Sequence, residues 1–522
     1  MASKRRQKHE KSSINLQTNI TKDEAIDNPD FDTVFENIGE YGWSQILQLS
    51  FLCYTTMCRG AIVVSAVFLC KIPSFECKDR PSDDPCSLEP PCQQFEYDTS
   101  ENFTSITGEW DLVCEKKDYA GLTQSALMIG TMIGTYFLAP LGDRYGRGPI
   151  ATFGNMLVLL AQTITTFSTS YVLFTLSRFL IGIGLGGTAV TSVWLIENTH
   201  SKWRAFASLT YNAAYAVGIV VLAVFAYYFR DWRDLTFYLL CLTAPYILIY
   251  RYLPESPRWL LSKGRIREAE DILLAMGRRN GRHISRENLA LSNFTTMTTK
   301  KPSEECVKND NVLRVFTTPV MRNRMLLLMF LWVVCVLVYY GLTMGSSNLG
   351  GNMYINVAVS GLIETPAIYL VGLLSDRYGR KAASIVFTLC VSICCLWILI
   401  LQYQSSDEIT QFQTYLAMIA KLGISAVFSL IYVYTGELLP TDTRSGALGI
   451  CSMIGRIGGV VQPKVSSAGD TFAFTVFGIT TLVSCGLYLA LPETLNKPLP
   501  DSIEEIEMDW RQKEQEEDKK DS

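Results

Sequence analysis

Three charged residues stand inside otherwise apolar runs: Arg59 in CYTTMCRGAIVVSAVFLC, Glu364 in GLIETPAIYLV and Arg456 in GICSMIGRIGGVVQPKV. A guanidinium fork can hold a carboxylate, sulfate or phosphate through two parallel hydrogen bonds, and a carboxylate can face a cation. That chemistry recognises ions and breaks no bonds. The sequence has no glycine loop ending in Lys-Ser/Thr to cradle a nucleotide phosphate. The three histidines, His9, His200 and His283, lie outside the apolar runs, so a histidine proton relay is not expected. No Cys-x-x-Cys pair or clustered His is present, so a zinc site is a poor reading of the cysteines. No catalytic residue, metal, cofactor or nucleic-acid partner is expected.

The elements that would position these charges are long apolar segments. The chain has 522 residues, 48% hydrophobic and 18% charged, and its apolar residues gather in blocks long enough to cross about 30 Å of hydrocarbon. Twelve such blocks are predicted, near 46–70, 119–141, 149–168, 171–196, 205–228, 235–253, 325–347, 352–374, 381–401, 412–436, 445–467 and 471–491. The expected fold is an all-α polytopic membrane protein. Lys and Arg cluster in residues 1–45, in the short loops 142–148, 202–204 and 377–381, and in the linker 254–324. The positive-inside bias then makes both termini cytoplasmic. Arg230 and Arg233 break that pattern, flanking Asp231 beside Asp234. The tail 492–522 is acidic, and Arg265–Leu273 in the linker reads as an amphipathic surface helix.

Depth separates the buried charges. At 1.5 Å per residue, Arg456 is about 18 Å from Arg444 and Glu364 about 18 Å from Asp376. Arg59 is about 17 Å from Cys70, so all three are near the midplane. Lys421 and Arg178 fall about 24 and 28 Å from Glu437 and Glu197, towards the outer face. Gly449, Ser452, Arg456, Gly459 and Pro463 recur at steps of four and three, which puts Arg456 on a small, polar stripe. Glu364 and Arg456 could pair with each other, or be left for a substrate. With Arg59, the central balance is two positive to one negative, which favours an anionic group on the ligand. Trp332, Tyr339, Tyr340 and Tyr354 could stack its flat or quaternary parts.

The chain also repeats itself. Asp143-Arg144-Tyr145-Gly146-Arg147 recurs as Asp376-Arg377-Tyr378-Gly379-Arg380, Glu197…Arg204 as Glu437…Arg444, and Pro254-Glu255-Ser256 as Pro492-Glu493-Thr494, at offsets of 233, 240 and 238. Six spans per half give both halves one orientation, the parallel repeat of a two-bundle transporter with its site between the bundles. The DRYGR loops and the Glu…Arg pairs are expected to form a gating latch of helix-end ion pairs. In the long loop 71–118, Cys77, Cys86, Cys92 and Cys114 predict two disulfides of open connectivity. Asn102-Phe103-Thr104 is a glycosylation sequon in the same loop.

Gly372-x-x-x-Asp376-Arg377-x-Gly379-Arg380-Lys381 resembles the signature loop of the major facilitator superfamily. Glu109-Trp110-Asp111-Leu112-Val113-Cys114, Arg178–Gly184, Pro254–Leu261, Tyr339–Leu342 and Tyr434–Thr441 resemble its organic cation, organic anion and carnitine branch, solute carrier family 22. The resemblance implies two six-helix bundles, 46–253 and 325–491, in the plasma membrane. It also makes Tyr340 a pocket residue. Cation carriers of the family tend to place an acid at the site matched by Arg456, and anion and carnitine carriers an Arg. Glu364 resembles the cation and carnitine carriers instead. The expected function is alternating-access transport of small organic anions or zwitterions, with a coupling ion or exchanged counter-substrate. The rivals are a cation carrier using Glu364 as counter-ion and a receptor that does not translocate; intact loops in both halves favour cycling.

Overall fold

The computed structural model describes residues 31–78, 85, 86, 92, 94–98, 103–246, 253–289, 312–402, 407–440, 443–497, 500 and 503–508. The expected spans are present as helices, the sixth over its first part only, since residues 247–252 of the expected 235–253 lie outside the described residues. They are α1 (Trp43–Leu69), α2 (Lys117–Tyr145), α3 (Arg147–Thr166), α4 (Tyr171–Glu197), α5 (Ser201–Tyr228) and α6 (Trp232–Thr243), then α7 (Pro319–Gly345), α8 (Met353–Tyr378), α9 (Arg380–Leu401), α10 (Asp407–Leu438), α11 (Arg444–Ser467) and α12 (Asp470–Ala490). Helix starts follow local chemistry. Asn352 accepts from the N–H groups of Tyr354 and Ile355 at 2.9 and 3.3 Å, and Asp231 accepts from those of Arg233 and Asp234.

Among the described residues, nine helices are long and apolar enough to cross a membrane on their own. Helices α3, α6 and α11 are the others. The reason for α11 is plain in its composition, since Arg456, Gln462, Lys464 and several glycines dilute it. What seats α11 is packing, against α7 in its own half and α2 in the other.

The internal repeat is visible in the packing. In the first half α1 lies on α5, α2 on α4 and α3 on α4; in the second α7 lies on α11, α8 on α10 and α9 on α10. The halves meet through α2 with α11 and α5 with α8, two contacts that the repeat exchanges. Gly361 lets α8 approach α5 closely, since a Cβ there would be 3.0 Å from the Ala216 carbonyl oxygen and 2.9 Å from the Ile219 side chain.

Between α1 and α2 the chain forms a two-stranded hairpin, β1 (Phe75–Cys77) and β2 (Phe95–Tyr97), antiparallel with Glu76 opposite Glu96. Disulfides join Cys77 to Cys92 and Cys86 to Cys114, which selects one of the open connectivities. Asn102 lies outside the described residues. Trp110 docks this loop by packing its ring on Phe174 and Trp232, and Glu109 holds the Trp232 indole N–H at 2.8 Å. Glu109 also pairs with Arg233, which accounts for an arginine on the side where the charge bias expects few.

The polar contacts joining the halves gather towards this hairpin side. The Lys71 ammonium donates to the Ser347 carbonyl at 2.9 Å, Asp118 pairs with Lys464, and the Ser125 hydroxyl donates to the Val460 carbonyl at 2.7 Å. Phe68 stacks on Tyr354 with ring centroids 5.6 Å apart. On the opposite, DRYGR side, a short helix Phe31–Ile38 packs Val34, Phe35 and Ile38 against Leu273 and Met276 of the linker helix Ile266–Arg279. Asp32 pins that assembly to the first half through Arg204 at 3.1 Å and also holds Arg258 of the linker at 2.7 Å.

Candidate functional site

The second half holds two charged centres inside the bilayer span. At the first, Glu364 of α8 meets Lys421 of α10, with Nζ 3.4 Å from Oε2. Both are buried, at 8% and 1% side-chain exposure. The Tyr339 hydroxyl donates to Glu364 Oε1 at 2.6 Å, and the Lys421 ammonium donates to the Thr343 hydroxyl at 2.7 Å. The ammonium also sits 3.7 Å from the centroid of the Tyr339 ring. Tyr339 and Thr343 are four residues apart on α7, so one helix face serves both ends of the pair. The sequence leaves open whether Glu364 pairs with Arg456; in the structure its cation is Lys421.

The second centre is Arg456, on α11. The groups within its electrostatic reach are tyrosines: Tyr340 of α7, Tyr432 of α10 and Tyr215 of α5. Among the described residues no carboxylate comes within ion-pair distance of it. The stripe read from the sequence divides in two. Gly459 and Pro463 lie against Met128 and Gly121 of α2, while Ser452 and Arg456 turn to Tyr432. Tyr215 and Tyr432 carry no mark in the sequence, because an aromatic in a long apolar run looks like core.

The other candidates are braced. Arg59 does not join Arg456. It is buried in the first half and donates to Asn155 Oδ1 at 3.1 Å, Thr191 Oγ1 at 3.3 Å and the Tyr211 hydroxyl at 3.3 Å. The sequence places it at the right depth but cannot give its azimuth around α1. Arg178 is likewise held by the Ile62 carbonyl, Ser65 Oγ and Gln124 Oε1 at 3.1–3.2 Å. Trp332 is buried, donating to Thr435 Oγ1 at 3.1 Å and packing edge-on to Tyr432. Tyr354 lies at the hairpin-side junction of the halves, against Phe68 and Tyr227, away from both charged centres.

The repeated loops build two copies of one cluster. Arg147 holds Glu197 at 3.0 Å and also pairs with Asp143; Arg380 holds Glu437 at 3.1 Å and Asp376 at 3.0 Å. Each copy has a carboxylate that the expected latch omits. Glu255 accepts from the backbone N–H groups of Arg147 and Gly148 at 3.0–3.2 Å, and Glu493 from those of Arg380 and Lys381 at 2.9 and 3.0 Å. These N–H groups start α3 and α9, where a negative charge is favoured. The repeat of Pro-Glu-Ser as Pro-Glu-Thr is the signal that could have placed them. The glycine between Tyr and Arg follows from the same geometry: Gly146 and Gly379 have φ of +114° and +101°, and a Cβ on either would strike the Glu255 or Glu493 carboxylate.

The two carboxylates are shifted in opposite directions. Burial pushes Glu255 above the ordinary value, against its backbone hydrogen bonds and helped by Glu197 nearby. At Glu493 burial also pushes upward, but the backbone N–H groups outweigh it and hold the carboxyl below the ordinary value. The expected latch partners Arg204 and Arg444 take other roles. Arg204 bonds the Thr199 carbonyl and Asp32, and Arg444 the Leu439 carbonyl. Arg144 and Arg377 lie over the rings of Tyr145 and Tyr378. Every ion pair of the two clusters is therefore within one half.

A family model described as "Sugar (and other) transporter" matches residues 91–510. "Solute carrier family 22 member 15-like" from Xenopus laevis is 34% identical over 485 residues, 92% of this chain and 96% of that protein. The chain belongs to solute carrier family 22 of the major facilitator superfamily. "Solute carrier family 22 member 3" from Mus musculus is 31% identical, with 78% of this chain and 72% of that protein covered. In the solved proton:xylose symporter XylE the same fold recurs, with a TM-score of 0.58 over 89% of this chain and 98% of that one, at 17% identity. This family 22 protein is thus a multi-pass membrane transporter, and Glu364–Lys421 and the tyrosine-ringed Arg456 are the charged centres of its second half.

Proposed function

We propose that this carrier moves small organic anions or zwitterions, carnitine-like compounds among them, across the plasma membrane by alternating access, with Arg456 as the group that receives the anion. One observation carries the reading. Glu364 already has a cation at 3.4 Å, whereas Arg456 faces tyrosines and, among the described residues, has no acid within ion-pair distance. The free positive charge is thus at Arg456, which suits a carboxylate, sulfate or phosphate on the ligand. Tyr340, Tyr432 and Tyr215 line the same place and supply hydroxyls and ring faces. Both termini and the DRYGR loops are cytoplasmic in this reading. Contacts between the halves that gather on the hairpin side support a state closed to the outside, with the repeated clusters keeping each half rigid as it rocks.

A cation carrier with Glu364 as counter-ion is the second reading, favoured by the 29% identity to the "Organic cation transporter protein" of Drosophila melanogaster. It requires Lys421 to leave Glu364. Uptake in cells expressing the chain, with a labelled carboxylate, carnitine and a quaternary ammonium as probes, separates the readings. Saturable uptake of the carboxylate or carnitine is expected. Arg456→Asp should cut it by about 100-fold, the loss of about 3 kcal/mol of charge-assisted hydrogen bonding. Uptake of the quaternary ammonium alone, or unchanged selectivity in Arg456→Asp at the cell surface, would overturn the assignment. Binding without uptake would make the chain a receptor.

A further inference from the structure

No residue of the linker helix Ile266–Arg279 takes part in the charged centres, yet the end of that helix is built into the entrance of α1. Its apolar side, with Leu273 and Met276, packs on the short helix Phe31–Ile38. Its last turn runs on as Arg278-Arg279-Asn280-Gly281-Arg282-His283. Asn280 fixes where this run lies. Its Oδ1 accepts from the Ser44 backbone N–H, in the first turn of α1, at 2.8 Å. Its Nδ2 donates to the Ile38 carbonyl and to Gln45 Oε1, each at 3.0 Å. The stem of Arg282 lies beside Gly39, where an added Cβ would be 4.0 Å from its Cγ.

The basic run is therefore held at the level where α1 begins, and the side chains there mark a membrane edge. Trp43, the first residue of α1, is 64% exposed, and Ile46, three residues on, is exposed too. Tyr41 stacks on Trp203 of α5 at 4.9 Å, with Phe206 edge-on to both rings. Trp and Tyr gathered at the ends of spans sit at the headgroup layer.

Charge balance then singles out the run. Several cations of the same side already have carboxylates: Arg265 pairs with Glu268, Arg286 with Asp271, Lys202 with Glu40 and Arg204 with Asp32. Arg278, Arg279 and Arg282 are all exposed, and among the described residues no carboxylate comes within ion-pair distance of them. A solvated helix end accounts for Arg278 and Arg279, whose charge suits the C-terminal dipole. It does not account for Arg282, which lies past the last turn.

We propose that this run is a docking surface for anionic phospholipid headgroups of the leaflet on the DRYGR side. An arginine fork holds two phosphate oxygens through parallel hydrogen bonds, which an ammonium does not match. Charge complementarity and the level of the run favour a lipid over a soluble partner, because the headgroups are already there. The exposed Trp43 and Ile46, next to the Ser44 contact, add an apolar surface beside the phosphate. A lipid held there ties the linker helix to the entrance of α1, so the linker stays with the first half as the second half moves. In the orientation of the proposed function this is the cytoplasmic leaflet, where anionic lipids concentrate. The docking itself depends neither on that orientation nor on the substrate.

Native mass spectrometry of the purified full chain, released from micelles with equal phosphatidylglycerol and phosphatidylcholine, counts the lipids retained. The wild type should retain phosphatidylglycerol in preference by about tenfold. Replacing the run's arginines together, Arg278→Gln, Arg279→Gln and Arg282→Gln, should remove most of that preference, and Arg282→Gln alone should lower it by about threefold. Lys202→Gln, Arg265→Gln and Arg286→Gln together remove the same charge from cations that have carboxylates, and should leave the preference within about twofold. No preference in the wild type, an unchanged preference without the run's arginines, or an equal loss in the two triple variants overturns the proposal. Displacement of phosphatidylglycerol by a soluble polyglutamate peptide at equal charge would assign the run to an acidic protein and overturn the lipid assignment.

Discussion

The two halves share a fold and a repeated set of DRYGR loops, yet they treat buried charge in opposite ways. In the first half Arg59 and Arg178 are tied to neutral acceptors, amide and hydroxyl oxygens and a backbone carbonyl. In the second half Lys421 meets a carboxylate, and Arg456 meets tyrosines and, among the described residues, no acid. A guanidinium held at its terminal nitrogens by fixed neutral dipoles has little to exchange. An ion pair beside an arginine without a counter-ion has two partners that can change. The comparison assigns bracing to the first half and ligand chemistry to the second.

The sharpest way to break that contrast is to delete one buried cation from each half, Lys421 and Arg178. Lys421→Met strands a buried carboxylate and should cost about 3–5 kcal/mol. Arg178→Met leaves only neutral acceptors unsatisfied, at about 1–3 kcal/mol. Melting of the purified proteins in detergent reads both, and adding Glu364→Gln to Lys421→Met should recover much of the loss. Equal losses for the two cations, with no recovery, would remove the distinction between the halves.

The loops test the opposite claim, that the halves are alike. Gly146→Ala and Gly379→Ala each force a side chain into a positive-φ position and against a glutamate, at about 1–3 kcal/mol each. The same melting assay should rank them together; a harmless change at either position would mean that its cluster is not a working copy of the other. A smaller effect separates the copies by pH. The folded loop binds a proton on Glu255 more tightly than the open loop does, because its value is raised, so acid favours the closed form there. Glu493 is held below the ordinary value of 4.5, so its contribution is present above that pH and fades as pH falls through the lowered value. Hydrogen exchange, corrected for intrinsic rate, should show protection of Arg380 and Lys381 falling by about twofold on acidification to about pH 4 while that of Arg147 and Gly148 holds. Parallel loss in both loops would contradict the assigned difference.

The fold was legible because its signals are one-dimensional. Apolar blocks of spanning length mark helices, and the DRYGR repeat fixes their grouping into two parallel bundles. Glycine between Tyr and Arg was legible as a repeat but not as a necessity, since the glutamate that crowds it lies about 110 residues away in each half. The pocket was half legible. Arg456 and Glu364 stand out because charge in hydrocarbon is rare, whereas Tyr215 and Tyr432 do not, because aromatics there are common.

The sequence by itself determined which residues carry charge into the membrane, at what depth, and in which of two repeated bundles. Depth follows from a fixed rise per residue, so counting suffices. Only the tertiary structure decided who meets whom. Glu364, Lys421 and Arg456 all lie within about 6 Å of one another in depth by that count, and nothing in the chain ranks the possible pairs. The choice is made by the angle at which α7, α8, α10 and α11 face each other, set by close contacts such as Gly361 on α5 and Gly455 on Trp332. Those contacts bring Lys421 to Glu364 and leave Arg456 among tyrosines.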